Sequence, residues 1–306
     1  MRYVLGCVHA GRKMTGGVEP PIEKPEEPEK PTTPPSIEDL RTIKINDEIM
    51  AVVGTKTWRS IAYGNGIYVV VGLDGYTAYS TDGENWTRKT VGTESWYAIA
   101  FGNGKFVAVG KSRKITTTTD GKTWTTVKQV GTSAVGNWLA ITYADGKFIT
   151  SSSKGYGAIS IDGVNWTNMR IASDYTWSLS TIAYGNGRFI ASGMSNTTDG
   201  ETWVKCANHV ACNAMTYGAG KFVSVHIESG AYSTDNGETW TDVPITGGSY
   251  NWLGITYANG LFVAGGQDGY ITTSIDGVTW SQPVQVIPKG TGTTNDNAIY
   301  DIVKMN

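Results

Sequence analysis

One phrase recurs six times in this chain, and it limits the available folds more than any other feature. A stretch of the form W-x-x-I-A-Y-G-N-G-K-F-V-A-V-G is followed by D-G-Y-I-T-T and then by S-T-D-G-x-x-W-T, and the closing tryptophans are Trp86, Trp124, Trp166, Trp203, Trp240 and Trp280. Their spacing is 38, 42, 37, 37 and 40 residues. Self-similarity at such a period means one supersecondary unit, repeated, whose core is completed only by its neighbours.

Each unit reads as four short strands. In the first copy, strand a is expected from Trp58 to Tyr63 and ends at Gly64-Asn65-Gly66, an Asn-Gly turn whose positive φ angles suit a tight hairpin into strand b, Ile67 to Val71. Strand c is expected from Tyr76 to Thr81, and Asp82-Gly83 turns the chain into strand d from Trp86. Strand b is apolar on both faces, as in Phe106-Val107-Ala108-Val109, which suits a sheet covered on both sides. A four-stranded meander with this repeat length is the pattern of a propeller blade, so the expected fold class is all-β, a β-propeller of six motif-bearing repeats. Composition agrees: 39 Gly, 11 Trp and 16 Tyr with only 17% charged residues make a turn-rich β chain.

The ends decide the blade count. Ala298-Ile299-Tyr300-Asp301-Ile302-Val303 resembles a further strand a, while Thr42–Ile45 and Ile49–Val53 read as a hairpin before the first repeat. These leftover strands are expected to form one composite closing blade that pairs the N- with the C-terminal region and leaves no open edge, giving seven blades; six is the alternative. Upstream, seven of the ten prolines fall between Pro20 and Pro35, alternating with Glu and Lys. Such a segment favours extended polyproline II and buries little apolar surface. The expected organisation is a docking peptide (1–17), an extended linker (18–40) and the propeller (41–306).

The bulk chemistry narrows the partners. A formal charge of −2 supplies no basic field for nucleic acid or an anionic membrane, and no apolar run reaches the roughly 18 residues of a membrane span. Cys7, Cys206 and Cys212 lack the spacing of a zinc or redox site. Val4-Leu5-Gly6-Cys7 looks like a lipoprotein cleavage box, but only Met-Arg-Tyr precedes it, so neither export nor lipidation is expected.

The repeated turn also carries a resemblance. Ser233-Thr234-Asp235-Asn236-Gly237-Glu238-Thr239-Trp240 fits S-x-D-x-G-x-x-W, and the copies at Asp82, Asp120, Asp162, Asp199 and Asp276 lack the residue between Asp and Gly. This resembles the Asp-box of the sialidase-like β-propellers and their non-enzymatic relatives. The shortened form resembles propeller repeats of bacteriophage virion and bacterial surface proteins, and the resemblance covers residues 55–285. It implies that the box is an element of the fold, and elementary chemistry agrees. A short carboxylate accepts backbone N–H groups at a turn, Gly supplies the left-handed conformation and Trp fills the space between blades. One carboxylate per blade is too few to hold a metal, so no metal or cofactor is expected.

The resemblance does not extend to sialidase activity. Such enzymes hold a carboxylate with three arginines and begin with an Arg-Ile-Pro stretch. No such stretch occurs here, and Arg59, Arg88, Arg113, Arg170 and Arg188 stand outside the family's motif context. A non-enzymatic module is expected, and the glycosidase alternative has only Asp74, Glu228 and Asp268 to offer as acids. The resemblance implies a virion protein, a tail or head appendage present in several copies. Residues 1–17 would dock it on other virion proteins, and the propeller would meet a host-surface glycan or receptor. A bacterial cell surface is the alternative location, and a purely structural assembly role the alternative function.

A ligand is expected at the end of the disc opposite the boxes, where the d-a and b-c connections lie. There Trp58, Trp96, Trp138 and Trp252 recur at the start of strand a, with Leu179 and Cys212 replacing Trp in units four and five and Trp177 two residues before Leu179. Two uses of these rings stay open: platforms for sugar rings around the channel mouth, or wedges between blades. The b-c loops add Asp74 with Tyr76, Arg113 with Lys114, Lys154 with Tyr156, His226 with Glu228 and Asp268 with Tyr270, aromatic and hydrogen-bonding groups of the kind that recognise glycans.

Overall fold

The computed structural model describes residues 40–45, 48–53, 58–172, 178–207, 212–246, 250–287 and 298–304, with backbone alone for 40–53 and Lys304. The expected docking peptide and most of the linker, like Trp177, lie outside the described residues.

Six four-stranded antiparallel sheets follow one another along the chain, each with its strands in the order a-b-c-d. In the first, strand a is Trp58–Gly64, b Ile67–Gly72, c Tyr76–Ser80 and d Thr87–Thr90. The a-b turns take the positive φ angles that their sequences demand, 50° and 76° at Asn65-Gly66 and 46° and 73° at Asn103-Gly104. The inner strands Trp58–Gly64, Trp96–Gly102, Trp138–Ala144, Ile182–Gly185, Ala214–Gly218 and Trp252–Ala258 stand side by side in chain order around a central channel.

The strand Asp301–Lys304 stands between the inner strands of blades 6 and 1 and closes the ring. It pairs antiparallel with Glu48–Val53, which pairs with Leu40–Ile45. The leftover strands therefore do join the two ends of the chain, but as a three-stranded sheet. The structure holds six complete blades, the alternative count, because the proline-filled sequence beside Leu40 offers no further β-prone run.

Blades interlock by aromatic residues seated on glycines. Phe101 at the end of one strand a covers Gly64 of the preceding blade, and Tyr143 on Gly102, Tyr217 on Gly185 and Tyr257 on Gly218 repeat the contact so closely that a Cβ at any of these glycines would overlap the ring. Each such ring also packs on the Phe of its own strand b, with centroids 4.5–4.8 Å apart for Phe101–Phe106, Tyr143–Phe148, Tyr217–Phe222 and Tyr257–Phe262.

The S-T-D-G-x-x-W turn is a second staple. In blade 1, Ser80 Oγ donates to Asp82 Oδ1 (2.8 Å) and accepts from Gly83 N–H (2.9 Å), while Asp82 Oδ1 accepts the N–H groups of Glu84 and Asn85 at 2.9 and 2.8 Å. Trp86 Nε1 closes the turn on Gly83 O at 2.9 Å. The indole bond recurs at Trp124, Trp166 and Trp203, whereas Nε1 of Trp240 and of Trp280 is buried without an acceptor among the described residues. The carboxylate bonds recur at Asp120, Asp162, Asp199 and Asp276, and at Asp235 the N–H of Thr239 takes this place. These donors hold the carboxyls of Asp120 and Asp276 down to about 2, and those of Asp82, Asp162 and Asp199 lower still. The box glycines Gly121, Gly163, Gly200, Gly237 and Gly277 lie against Val69, Val107, Ile149, Ile190 and Val223, each on strand b of the preceding blade. The box tryptophans Trp124, Trp166, Trp203, Trp240 and Trp280 join the apolar clusters between blades. Trp86 packs with Trp58, Tyr68 and Val303, at the seam where the ring closes.

Candidate functional site

Because each blade is an up-and-down meander, the a-b and c-d turns share one end of the disc and the b-c and d-a connections share the other. The two ends differ in content. The turn end repeats one design six times, whereas the b-c loops agree only in part: Asp-Gly-Tyr in blades 1 and 6, Lys-Gly-Tyr in blade 3, and other side chains in blades 2, 4 and 5.

The structure decides between the two uses of the strand-a tryptophans. Trp58 is 1% exposed, and Trp96, Trp138 and Trp252 are 0% exposed, so no ring face is free for a sugar. Each is a wedge: Trp96 packs with Val69 and Val71 of blade 1, Trp138 with Val107 and Val109 of blade 2, and Trp252 with Val223 and Val225 of blade 5. Leu179, which replaces Trp in blade 4, is buried in the same way, and Cys212 in blade 5 packs beside Met215. The platform expectation is corrected accordingly.

The cause is a β-bulge. In blades 1, 2, 3 and 6 the register slips just after the tryptophan, between Trp58 and Ser60, Trp96 and Ala98, Trp138 and Ala140, and Trp252 and Gly254. A bulge leaves one residue unpaired and re-aims its side chain. The skipped residues, Arg59, Tyr97, Leu139 and Leu253, all line a cavity of about 220 Å³ at the loop end of the channel. Ser180, Asn213 and Tyr300 take the matching places in blades 4 and 5 and in the closing strand. Four inner strands and the residues just before three others thus contribute seven residues of five kinds: a cation, two tyrosines, two leucines, a serine and an asparagine.

Two of these residues meet at the closing seam, where the Arg59 guanidinium lies 4.1 Å from the centre of the Tyr300 ring. Beside them, Asp301 Oδ2 accepts from Ser60 Oγ (2.9 Å) and from Ile61 N–H (3.1 Å), and Oδ1 accepts from Ile302 N–H (2.8 Å). Ser60 Oγ in turn accepts from Ile99 N–H at 3.3 Å, so one carboxylate ties the last strand to the first two blades. Interior surroundings outweigh these donors and push the Asp301 carboxyl up to about 6.

The loop residues stand apart from the channel and from one another. Asp74 and Asp268 occupy equivalent left-handed positions, φ 54° and 55°, in the b-c turns of blades 1 and 6. Asp74 N–H donates to Ser95 Oγ of the neighbouring d-a connection, and Tyr76 is 43% exposed. In blade 3, Tyr156 packs face-on with Arg170 at 4.3 Å, beside a cleft of about 260 Å³ shared with Val135 and Asn168. In blade 6, Tyr270 stacks on Tyr250 at 4.3 Å, and Tyr250 touches Trp252 at 5.6 Å. Burial and the neighbouring Tyr270 push the Tyr250 hydroxyl pKa up. Glu228, Asp74 and Asp268 sit on three different blades, and among the described residues no group of three His, Cys, Asp or Glu side chains is close enough to hold a metal ion.

No protein-family model matches the chain, and no curated protein matches it. Among solved structures, YCF48 bound to a D1 peptide is similar with a TM-score of 0.61 and 16% identity, over 87% of this chain and 95% of that one. YCF48 from Cyanidioschyzon merolae is similar with a TM-score of 0.61 and 17% identity, over 83% and 90% of the two chains. At these identities the likeness is one of fold. The class of protein is thereby set: a β-propeller built from six four-stranded blades.

Proposed function

We propose that this chain is a non-enzymatic recognition module of a bacteriophage virion. It docks on the particle through residues 1–17 and meets a host-surface glycan or receptor with the loop end of its propeller. The observation that carries this reading is the contrast between a turn end that repeats and a loop end that does not. The frame is copied six times, while the residues at the channel mouth differ from blade to blade and only the b-c loops of blades 1, 3 and 6 share a Gly-Tyr pair. Tyr76, Tyr156 and Tyr270, with Asp74 and Asp268 beside them, are the loop residues that contact the ligand. Several copies on one particle turn weak single sites into firm attachment. A purely structural role in assembly is the second reading, favoured by a similar propeller that is seen with a bound peptide.

Adsorption to host cells tests the first reading. The full chain displayed on particles or beads binds cells, and the variant Tyr76→Ala, at an exposed ring, loses at least about tenfold in binding while its melting temperature is kept. Binding that survives this variant and every other loop-end substitution refutes glycan or receptor recognition at this end. For the docking claim, particles carrying a chain that lacks residues 1–17 lose the propeller, and normal incorporation of that deletion contradicts it.

A further inference from the structure

Among the described residues, Arg59 and Asp301 are the charged side chains that line the channel mouth. Neither neutralises the other, since no ion pair joins them among the described residues. The guanidinium has the Tyr300 ring as its neighbour, and its Nε is buried without an acceptor, so new hydrogen bonds fall to its Nη groups. Asp301 accepts three hydrogen bonds, two on Oδ2 and one on Oδ1, whereas a carboxylate has about four lone-pair sites. Among the described residues, one acceptor position on Oδ1 is therefore unused.

Charge then selects the ligand. An anion drawn to Arg59 brings a second negative charge beside Asp301, and a cation drawn to Asp301 meets Arg59. A neutral group with an acceptor and a donor side by side gains from both; a pair of hydroxyls and an amide each offer this, and an N-acetyl group adds a methyl. Leu253, beside Tyr300 in the ring of lining residues, gives apolar surface for that methyl, and the half-buried Tyr97 adds a ring on the other side of Arg59. The cavity, about 220 Å³, is smaller than the roughly 300–1,000 Å³ that holds a whole drug-sized ligand, so it takes one group of a larger ligand. A backbone peptide amide, with chain continuing in both directions, does not enter such a cup.

Building on the glycan-recognition reading, we propose that the channel mouth binds the acetamido group of an N-acetylated sugar. Arg59 donates to its carbonyl oxygen, Asp301 accepts from its N–H, and Leu253 receives its methyl. Ligand-observed NMR and calorimetry on the full chain test this with N-acetylglucosamine and N-acetylgalactosamine, their parents glucose and galactose, and a short asparagine-containing peptide. The acetylated sugars bind at least about tenfold more tightly than the parents, and Arg59→Gln removes that preference. Because Asp301 also closes the ring, the second variant is Ser180→Trp, which fills the mouth from an exposed position and abolishes binding with the melting temperature kept. Equal binding of parent sugars, equal binding of the peptide, no binding of the acetylated sugars, or a preference unchanged in both variants overturns the proposal. Should the wild-type chain adsorb to host cells while the acetylated sugars fail to bind, the acetamido assignment alone falls. Failure to adsorb at all removes the recognition reading itself.

Discussion

The seams between successive blades and the seam that closes the ring are made of different chemistry. Between blades, an aromatic ring covers a glycine and a tryptophan wedges beside it, as Tyr143 does on Gly102 and Trp138 against Val107 and Val109. At closure, Asp301 reaches across to Ser60 and Ile61 while Arg59 stacks on Tyr300. The first design is apolar and can be copied with the repeat. The second occurs once, joins parts of the chain 240 residues apart, and places its polar groups on the channel wall. Stability is thus distributed around the ring, whereas the singular chemistry gathers where the ring is joined.

Four experiments break or sharpen that contrast. The largest effect belongs to the wedges: Trp96→Ala and Trp252→Ala each lower the unfolding free energy by about 4 kcal/mol, measured by chemical denaturation, with ligand binding per folded molecule unchanged. Next comes overpacking of a copied seam, where Gly102→Ala drives a methyl into the Tyr143 ring and costs about 3 kcal/mol. A single staple matters less. Ser160→Ala removes the oxygen that accepts Gly163 N–H at 2.8 Å, and the loss is about 1–2 kcal/mol, because five other turns are intact.

The smallest effect is a trend with pH, and the two designs respond in opposite directions. The Asp301 carboxyl titrates near 6 when folded, above its ordinary 3.8, so its contribution is full below pH 3.8 and is lost as pH rises through 6. The carboxyls of Asp120 and Asp276 titrate near 2, so their contribution is present above pH 3.8 and is lost as pH falls through 2. The melting temperature therefore rises slightly from pH 7 to pH 5 and falls in stronger acid. Asp301→Asn flattens the first limb and leaves the second, and an unchanged first limb in that variant contradicts the role given to Asp301.

The repeat made the frame legible. The Asn-Gly and Asp-Gly turns have few alternative conformations, so the four strands of each unit could be read from spacing, and the staple role of Asp82 and its copies followed from the Asp-box resemblance and the chemistry of a carboxylate at a turn. The channel mouth was hidden for the opposite reason. Arg59, Tyr97, Leu139 and Leu253 occupy the position at which the repeats disagree, and only the bulge after each tryptophan turns them inward. That same bulge misled the expectation for Trp58 and its copies, because plain alternation does not say which member of a W-x pair faces the channel. Signal was present in the disagreement itself: one variable position inside an otherwise copied strand. Asp301 stands where the other inner strands carry Ser60, Ala98, Ala140, Thr181, Ala214 or Gly254, and its partners lie in the first blade.

The central claim is that the repeated end carries stability and the unrepeated end carries recognition. Paired measurement of cell or glycan binding and melting temperature tests it most directly, on one variant from each end: Ser160→Ala at a turn, and Tyr76→Ala at the loops. The account predicts a lowered melting temperature with binding per folded molecule intact for the first, and lost binding with the melting temperature intact for the second. The reverse pattern contradicts it.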